Sequence, residues 1–408
     1  MVQAGVIVVG GGQGGFQVAA SLREEGYQGS ITLIGDEPGL PYQRPPLSKG
    51  FLAGKAQAQQ IELRPPAFYA EQGIALLAPE RVTSVDRAAR RVGLASGASL
   101  AYEHLVLATG ARARIPTVPG ADLPGILPLR SRADAEAMLA LLPQVRRLVV
   151  VGGGFIGLEV AAVGTDMGLD VRVIEFADRV LKRCVSAGVS AYLADAQAKR
   201  GVQFRFETGV IAFSGSEGRV ARVQTSRDDD FEADLVVVGV GVEPNVELAR
   251  QAGLPVQDGI VVDAHLLTAD PAISAIGDCA RYPTTWLAAP VRLESVQNAV
   301  DQARCVAARL AGRGTPYSKV PWFWSDQGDN RLQIAGVSEA GDSAVLRGDR
   351  ACGKFSVFRF RAGRLAAVES INSPADHMAA RKLLAAGTPV TPEQAADASL
   401  KLATLLAP

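Results

Sequence analysis

The sequence predicts an α/β chain with two Rossmann-like dinucleotide-binding domains and a C-terminal α+β domain, and three observations predict it. First, VIVVGGGQGG (Val6–Gly15) and LVVVGGGFIG (Leu148–Gly157) repeat one pattern about 140 residues apart: an apolar β-branched run, then a glycine-rich turn. Second, each repeat runs on into a helix-like stretch (Phe16–Glu25, Leu158–Met167) and another apolar strand (Ser30–Ile34, Val171–Ile174), so each is a βαβ unit. Third, the character changes after Tyr317, where Lys354–Arg361 and Leu365–Asn372 read as antiparallel strands and Pro374–Ala386 as a helix.

The 408 residues fit two or three domains. The all-apolar strands of the βαβ units imply parallel sheets covered on both faces. Further strands are expected at Leu105–Ala108, Leu235–Val240 and Ile273–Ile276. They end in the turns Ala108-Thr109-Gly110, Gly239-Val240-Gly241 and Gly277-Asp278. Ligands of doubly wound sheets bind beyond the carboxyl ends of strands, so these turns are candidates to face a cofactor.

Composition narrows the function. A formal net charge of +0 argues against nucleic-acid binding as a property of the whole chain. Only eight of the 42 basic residues are lysine. Arginine suits carboxylate and phosphate partners, although a GC-rich genome explains the same bias. The four cysteines (Cys184, Cys279, Cys305, Cys352) form no C-x-x-C, and the three histidines lie far apart. Neither a disulfide framework nor a metal site is expected, and the thiols fit a reducing cytoplasm. Met1–Gly5 lacks the charged start of a signal peptide, and no apolar run reaches the ~18 residues of a membrane span. The tail, 391–408, has one basic residue, Lys401, and is expected to pack on its own domain without anchoring to a membrane.

The chemistry sits in the turns. Gly10, Gly12 and Gly15 match G-x-G-x-x-G: the first makes the tight turn, the second lets backbone approach a pyrophosphate, and the third lets helix pack on strand. Asp36 and Glu37 follow at the distance expected for a carboxylate that binds ribose hydroxyls. Gly152, Gly154, Gly157 and Glu175 repeat the arrangement. A carboxylate at Glu175 accepts an adenosine 2′-OH and repels a 2′-phosphate, which favours NADH. Arg179, four residues on, is able to meet a phosphate, so NADPH stays an alternative. Two dinucleotides in one chain suggest a flavoprotein, with FAD in the first unit and NAD(H) in the second. Asp278 suits a ribityl hydroxyl of FAD; its alternative is an N-cap, for the Gln297–Leu310 region among others.

Longer strings point to one family: PYQRPPLSKGFL (Pro41–Leu52), LATGARAR (Leu107–Arg114), VVVGGGFIGLEVAA (Val149–Ala162), VGVGVEPN (Val238–Asn245), AIGDCAR (Ala275–Arg281), ESVQNAVDQAR (Glu294–Arg304) and PWFWSDQ (Pro321–Gln327). Over nearly its whole length the chain resembles the FAD-dependent NADH:ferredoxin reductases of bacterial oxygenase systems, the putidaredoxin reductase and biphenyl dioxygenase ferredoxin reductase family. The resemblance implies a glutathione-reductase-like fold. FAD would be bound by residues 1–111 and 242–318, NAD by the inserted 112–241, and 319–408 would form the C-terminal α+β domain. It implies FAD contacts from Gly14, Asp36, Lys49, Val82, Arg130, Asp278 and Val296, the last replacing a Trp of some relatives. Arg44 and Ile156, within two of these strings, are further candidates for cofactor binding. Lys49 and Glu159 look like the ion pair beside the flavin N5 of this family, and Trp324 like an aromatic wall of the same site. Arg304 looks like a position of the surface that docks a [2Fe-2S] ferredoxin near Trp324, with Arg309 and Arg313 expected to extend a basic stripe. The implied activity is hydride uptake from NADH and single-electron delivery to that ferredoxin, which supplies a cytochrome P450 or Rieske oxygenase. Monomer and homodimer both remain open.

Three other readings compete. A disulfide reductase needs a redox cysteine pair, and no Cys follows Gly15 in its helix. A membrane NADH:quinone reductase needs a basic amphipathic anchor, which leaves quinone reduction in solution as the surviving form. A flavoprotein resembling apoptosis-inducing factor, which binds NADH and signals, shares the GGGF-x-G-x-E string and the Lys–Glu pair.

Overall fold

A computed structural model describes residues 4–227 and 229–406. The chain forms two compact units, one from the residues up to Gln43, Ala58–Arg112 and Glu243–Lys319, the other from Arg44–Gln57, Ala113–Val242 and the residues from Val320 onward.

The first unit is built on a parallel sheet in the order Ile74–Leu77, Ile31–Ile34, Gly5–Val9, Ser99–Leu107, with Ile273–Ala275 on the far side of Ser99–Leu107. Val6, Ile7, Val8 and Val9 are all buried, as the unbroken apolar run requires of a strand covered on both faces. The helix Gln13–Glu24 and the longer Val296–Leu310 pack together over this sheet. Completely buried side chains such as Leu22, Leu33 and Leu105 each contribute about 2 kcal/mol by leaving water. Ser295 caps Val296–Leu310 by accepting from the Asn298 amide at 3.0 Å, so that cap does not fall to Asp278.

The second unit repeats the βαβ plan. Its parallel sheet runs Gln203–Arg205, Asp170–Ile174, Arg147–Val151, Leu235–Val238, Ile126–Pro128. A three-stranded antiparallel sheet (Val210–Ser216, Arg219–Thr225, Asp230–Glu232) accompanies it. The segment after Val320 forms an antiparallel sheet ordered Trp322–Gln327, Asn330–Gly336, Arg364–Ile371, Lys354–Arg361, Ser343–Asp349, with the helix Pro374–Ala386. Leu158, Val189 and Leu193 share one core with Leu332, Phe355 and Ile371 of that sheet. The tail is pinned by Arg347, which donates to the carbonyls of Asp397 and, at 2.7 Å, of Leu400, and Leu402 is buried. Among the described residues no helix is long and apolar enough to cross a membrane.

Both helices after the glycine turns start three residues earlier than the expected Phe16 and Leu158, at Gln13 and Phe155. The first amides of a helix need no partner within the helix, so low helix propensity at its glycines costs little there.

Candidate functional site

Steric demands at the two turns match the three glycine roles one by one. Gly10 and Gly152 have φ of +119° and +105°, and a Cβ there would lie 2.1 Å from the Ala108 carbonyl oxygen and 2.5 Å from that of Gly239. Only glycine satisfies both the left-handed backbone and this close approach. A Cβ on Gly15 or Gly157 would lie 1.9 Å or 2.1 Å from the carbonyl oxygen of the turn's own first glycine, so helix and strand could not close. The middle glycines differ. A Cβ on Gly12 would meet nothing within 4 Å, and one on Gly154 only the Gly239 carbonyl oxygen at 3.8 Å. The fold does not need these two to be glycine. The clear space over each turn, at a helix N-terminus, fits a pyrophosphate, so the residues present suit a dinucleotide at both turns.

Around the first turn, Gly14 packs on Ile276 and Ala299, giving it a helix-packing role as well as the candidate cofactor one. Asp36 is exposed and ion-pairs with Arg81 at 2.8 Å, and Glu37 accepts from the Tyr42 hydroxyl. Thr109 and Gly110 are stitched to Asn245: Thr109 Oγ1 donates to the Asn245 carbonyl (2.6 Å), Asn245 Nδ2 to the Thr109 carbonyl (2.8 Å), and the Asn245 amide to the Gly110 carbonyl (2.9 Å). Gly277, at φ +71°, opens a short 3-10 turn with Asp278. Val82 is buried at the start of its strand, and Val296 is half-buried at the start of its helix. Cys279 is buried and free, and burial pushes its thiol pKa up.

At the second turn the Glu175 carboxylate accepts from the Gly153 amide at 2.6 Å and the Ala177 amide at 2.7 Å. It therefore shapes the turn itself. Arg179 donates to the carbonyls of Val185 (3.1 Å) and Lys182 (3.0 Å), which draws it into its own loop. Ile156 is exposed, and Gly241 has φ +98° with open space at its missing Cβ. Arg44 donates to the Arg130 carbonyl at 2.7 Å, and the Arg130 amide donates to Asp134, whose carboxylate closes the capping box of helix Arg132–Leu141.

The second unit also gathers a charged cluster. Lys49 Nζ lies 2.8 Å from Glu159 Oε2, with the carboxylate 3% and the lysine 22% exposed. Ser48 donates to the same oxygen, and Ser325 donates to Oε1 at 2.6 Å. Lys49 also donates to the Pro45 carbonyl at 3.3 Å. Three donors on one buried carboxylate keep its charge compensated and leave Lys49 little freedom. Strand alternation explains why Ser325 takes part and its neighbour does not. Phe323 and Ser325 face the helix Phe155–Asp166, where the Phe323 and Phe155 rings lie 4.4 Å apart between centroids. Trp322 and Trp324 share the other face, 5.6 Å apart, with Arg381 stacked 4.4 Å over Trp322.

The expected basic stripe is not formed. Arg304 is 61% exposed beside Asp301, but Arg309 turns inward and donates to Ser274 Oγ at 2.6 Å, with His104 at 3.4 Å. A five-residue step turns a helix by about 140°, which carries Arg309 to another face. Arg313 ion-pairs with Glu25. Burial, with the Arg309 charge adding to it, lowers the His104 pKa to about 3. Sequence reasoning missed Ser48, Ser325 and Arg81, whose only signal is membership of strings quoted for other residues, or none.

Comparison with known proteins agrees with this geometry. Residues 4–303 match the family described as pyridine nucleotide-disulphide oxidoreductase, and 322–406 match that described as reductase C-terminal. The chain is 50% identical to rhodocoxin reductase of Rhodococcus erythropolis, covering 98% of this chain and 94% of that protein. The ferredoxin reductase for the CYP199A2 system of Rhodopseudomonas palustris superposes with a TM-score of 0.97 at 48% identity, over 99% of this chain and 100% of that one. Putidaredoxin reductase in its covalent complex with putidaredoxin superposes with a TM-score of 0.95 at 39% identity, over 100% of this chain and 99% of that one. With two glycine turns cleared for dinucleotides and a likeness that runs from end to end, the chain belongs to the pyridine nucleotide-disulphide oxidoreductase family and, within it, to the ferredoxin reductases.

Proposed function

We propose that this protein oxidises NADH and passes the electrons one at a time to a [2Fe-2S] ferredoxin that feeds a P450 or Rieske oxygenase. The observation that carries the reading is the pair of middle glycines, Gly12 and Gly154, that the protein's own packing does not require. FAD at the first turn and NADH at the second would together supply hydride acceptance and single-electron release, chemistry that no side chain provides. For the flavin we assign Gly10, Gly12, Gly14, Gly15, Asp36, Glu37, Arg44, Lys49, Val82, Ala108, Thr109, Gly110, Arg130, Gly277, Asp278 and Val296. For the nicotinamide nucleotide we assign Gly152, Gly154, Ile156, Gly157, Glu175 and Gly241. Residues 1–111 with 242–318, 112–241 and 319–408 are the corresponding functional domains.

Lys49, held by Glu159, supplies a fixed positive charge that stabilises negative charge on the reduced cofactor. Trp324 is the aromatic wall, and exposed Arg304 is the cation offered to an acidic partner. The site of action is the cytoplasm.

NADH oxidation measured with cytochrome c as final acceptor tests the reading. Strong dependence on added [2Fe-2S] ferredoxin is expected. A long-lived NADH complex with negligible turnover would instead favour the binding and signalling role. Glu175→Ala is expected to erode the preference for NADH over NADPH by about tenfold, since a 2′-OH acceptor and a 2′-phosphate repulsion are lost together. An unchanged ratio of kcat/KM for the two nucleotides would reject that role.

A further inference from the structure

Beneath the Gly277-Asp278 turn lies a buried amide relay that the proposed chemistry does not use. The Gly277 amide donates to Gln302 Oε1 at 2.7 Å, and Gln302 is completely buried. Gln302 Nε2 donates to Asn298 Oδ1 at 3.2 Å. The hydroxyls of Tyr282 (2.9 Å) and Tyr317 (3.2 Å) donate to that same oxygen, while Asn298 Nδ2 donates to the Leu293 carbonyl at 3.0 Å. Tyr282 and Asn298 are 2% and 1% exposed, so no bulk water competes for these groups. The direction of every bond follows from the chain: the Leu293 carbonyl can only accept, which sets the Asn298 amide, which sets the Gln302 amide, which presents an oxygen to Gly277.

A glycine at φ +71° has wide freedom, and the bond to Gln302 restrains the direction of its amide. We infer that Gln302 is a positioning residue for FAD: by holding the Gly277 amide, it fixes the turn that presents Asp278 to the cofactor. The inference rests on the reading of Asp278 as a flavin contact. The relay makes Gln302 act through the backbone, with Asn298 and the two tyrosines as its support.

The test uses full-length apoprotein, titrated with FAD and followed by quenching of flavin fluorescence, together with its thermal melt. Gln302→Leu removes the acceptor at similar volume and is expected to bind FAD about tenfold more weakly, the effect of one lost buried hydrogen bond. Gln302→Glu keeps the acceptor, and burial favours the protonated acid that also donates to Asn298; it is expected to bind within about twofold of wild type. The KM for NADH of the FAD-saturated variants should not move. Wild-type affinity in Gln302→Leu, or equally weak binding in Gln302→Glu, overturns the inference while leaving the flavin reading intact. A wild-type protein that takes up no FAD overturns both. Should Gln302→Leu lack a cooperative melt, Tyr282→Phe carries the test. Removal of one donor from Asn298 should then weaken FAD binding about two- to threefold, and unchanged affinity would overturn the inference.

Discussion

Gly12→Ala is expected to fold as wild type and to be purified almost without flavin. The new methyl meets no protein atom within 4 Å, and Gly12 has φ −83°, which alanine adopts freely. Stability should therefore change by less than about 0.5 kcal/mol, while the methyl occupies the space a pyrophosphate needs, lowering FAD affinity by about 10²-fold or more. Gly15→Ala should fail differently. Its methyl would sit 1.9 Å from the Gly10 carbonyl oxygen, part of the backbone of the turn itself. Relief requires moving helix from strand, at about 3 kcal/mol or more, so both the melt and the flavin content should fall. Thermal melts of the apoproteins and the ratio of flavin to protein absorbance separate the two. A fully yellow Gly12→Ala would remove the ground for placing a dinucleotide there.

Glu159→Ala is expected to destabilise the protein by about 3 kcal/mol and to slow NADH-dependent ferredoxin reduction by at least about tenfold. The carboxylate is the shared acceptor of Lys49, Ser48 and Ser325, so its loss leaves a half-buried ammonium and two hydroxyls without it. Ser325→Ala removes one of the three donors and should cost about 1 kcal/mol with a smaller loss of rate. Lys49→Met reverses the imbalance: the buried carboxylate keeps only the hydroxyl donors, and on the role proposed for Lys49 the flavin potential should shift negative as a cation is lost. Denaturant melts and stopped-flow reduction by NADH measure both parts. If Glu159→Ala and Lys49→Met turned over like wild type, the cluster would be structural only.

The glycine turns and their flanking strands were legible because their pattern is local. The spacing of the glycines within each turn and the apolar run before it are read within a few residues, and the apolar runs announce burial on both faces. The carbonyls that Gly10 and Gly152 approach nevertheless belong to Ala108 and Gly239, far along the chain. The helix Pro374–Ala386 and the strand Lys354–Arg361 were equally plain, since their periodicity is complete within themselves. What escaped depends on distant partners. Ser48 and Ser325 reach Glu159 across 111 and 166 residues of sequence, and no local pattern marks a serine as a donor to a carboxylate so far away. Arg309 was misjudged because charge alone argues for solvent, whereas Ser274 and His104 offered it a partly buried seat. Gln302 lay inside a quoted string, yet its meaning depends on a glycine 25 residues earlier.

In the proposed function Glu175 is both a discriminator and a tie-rod. Its two oxygens hold the amides of Gly153 and Ala177, so a change that removes the repulsion it is proposed to offer a 2′-phosphate also removes at least one bond that shapes the turn. Arg179, the nearest candidate to welcome that phosphate, would first have to leave the carbonyls of Val185 and Lys182. Reversing the proposed preference for NADH would therefore act on two places together, the Glu175 bonds and the Arg179 loop.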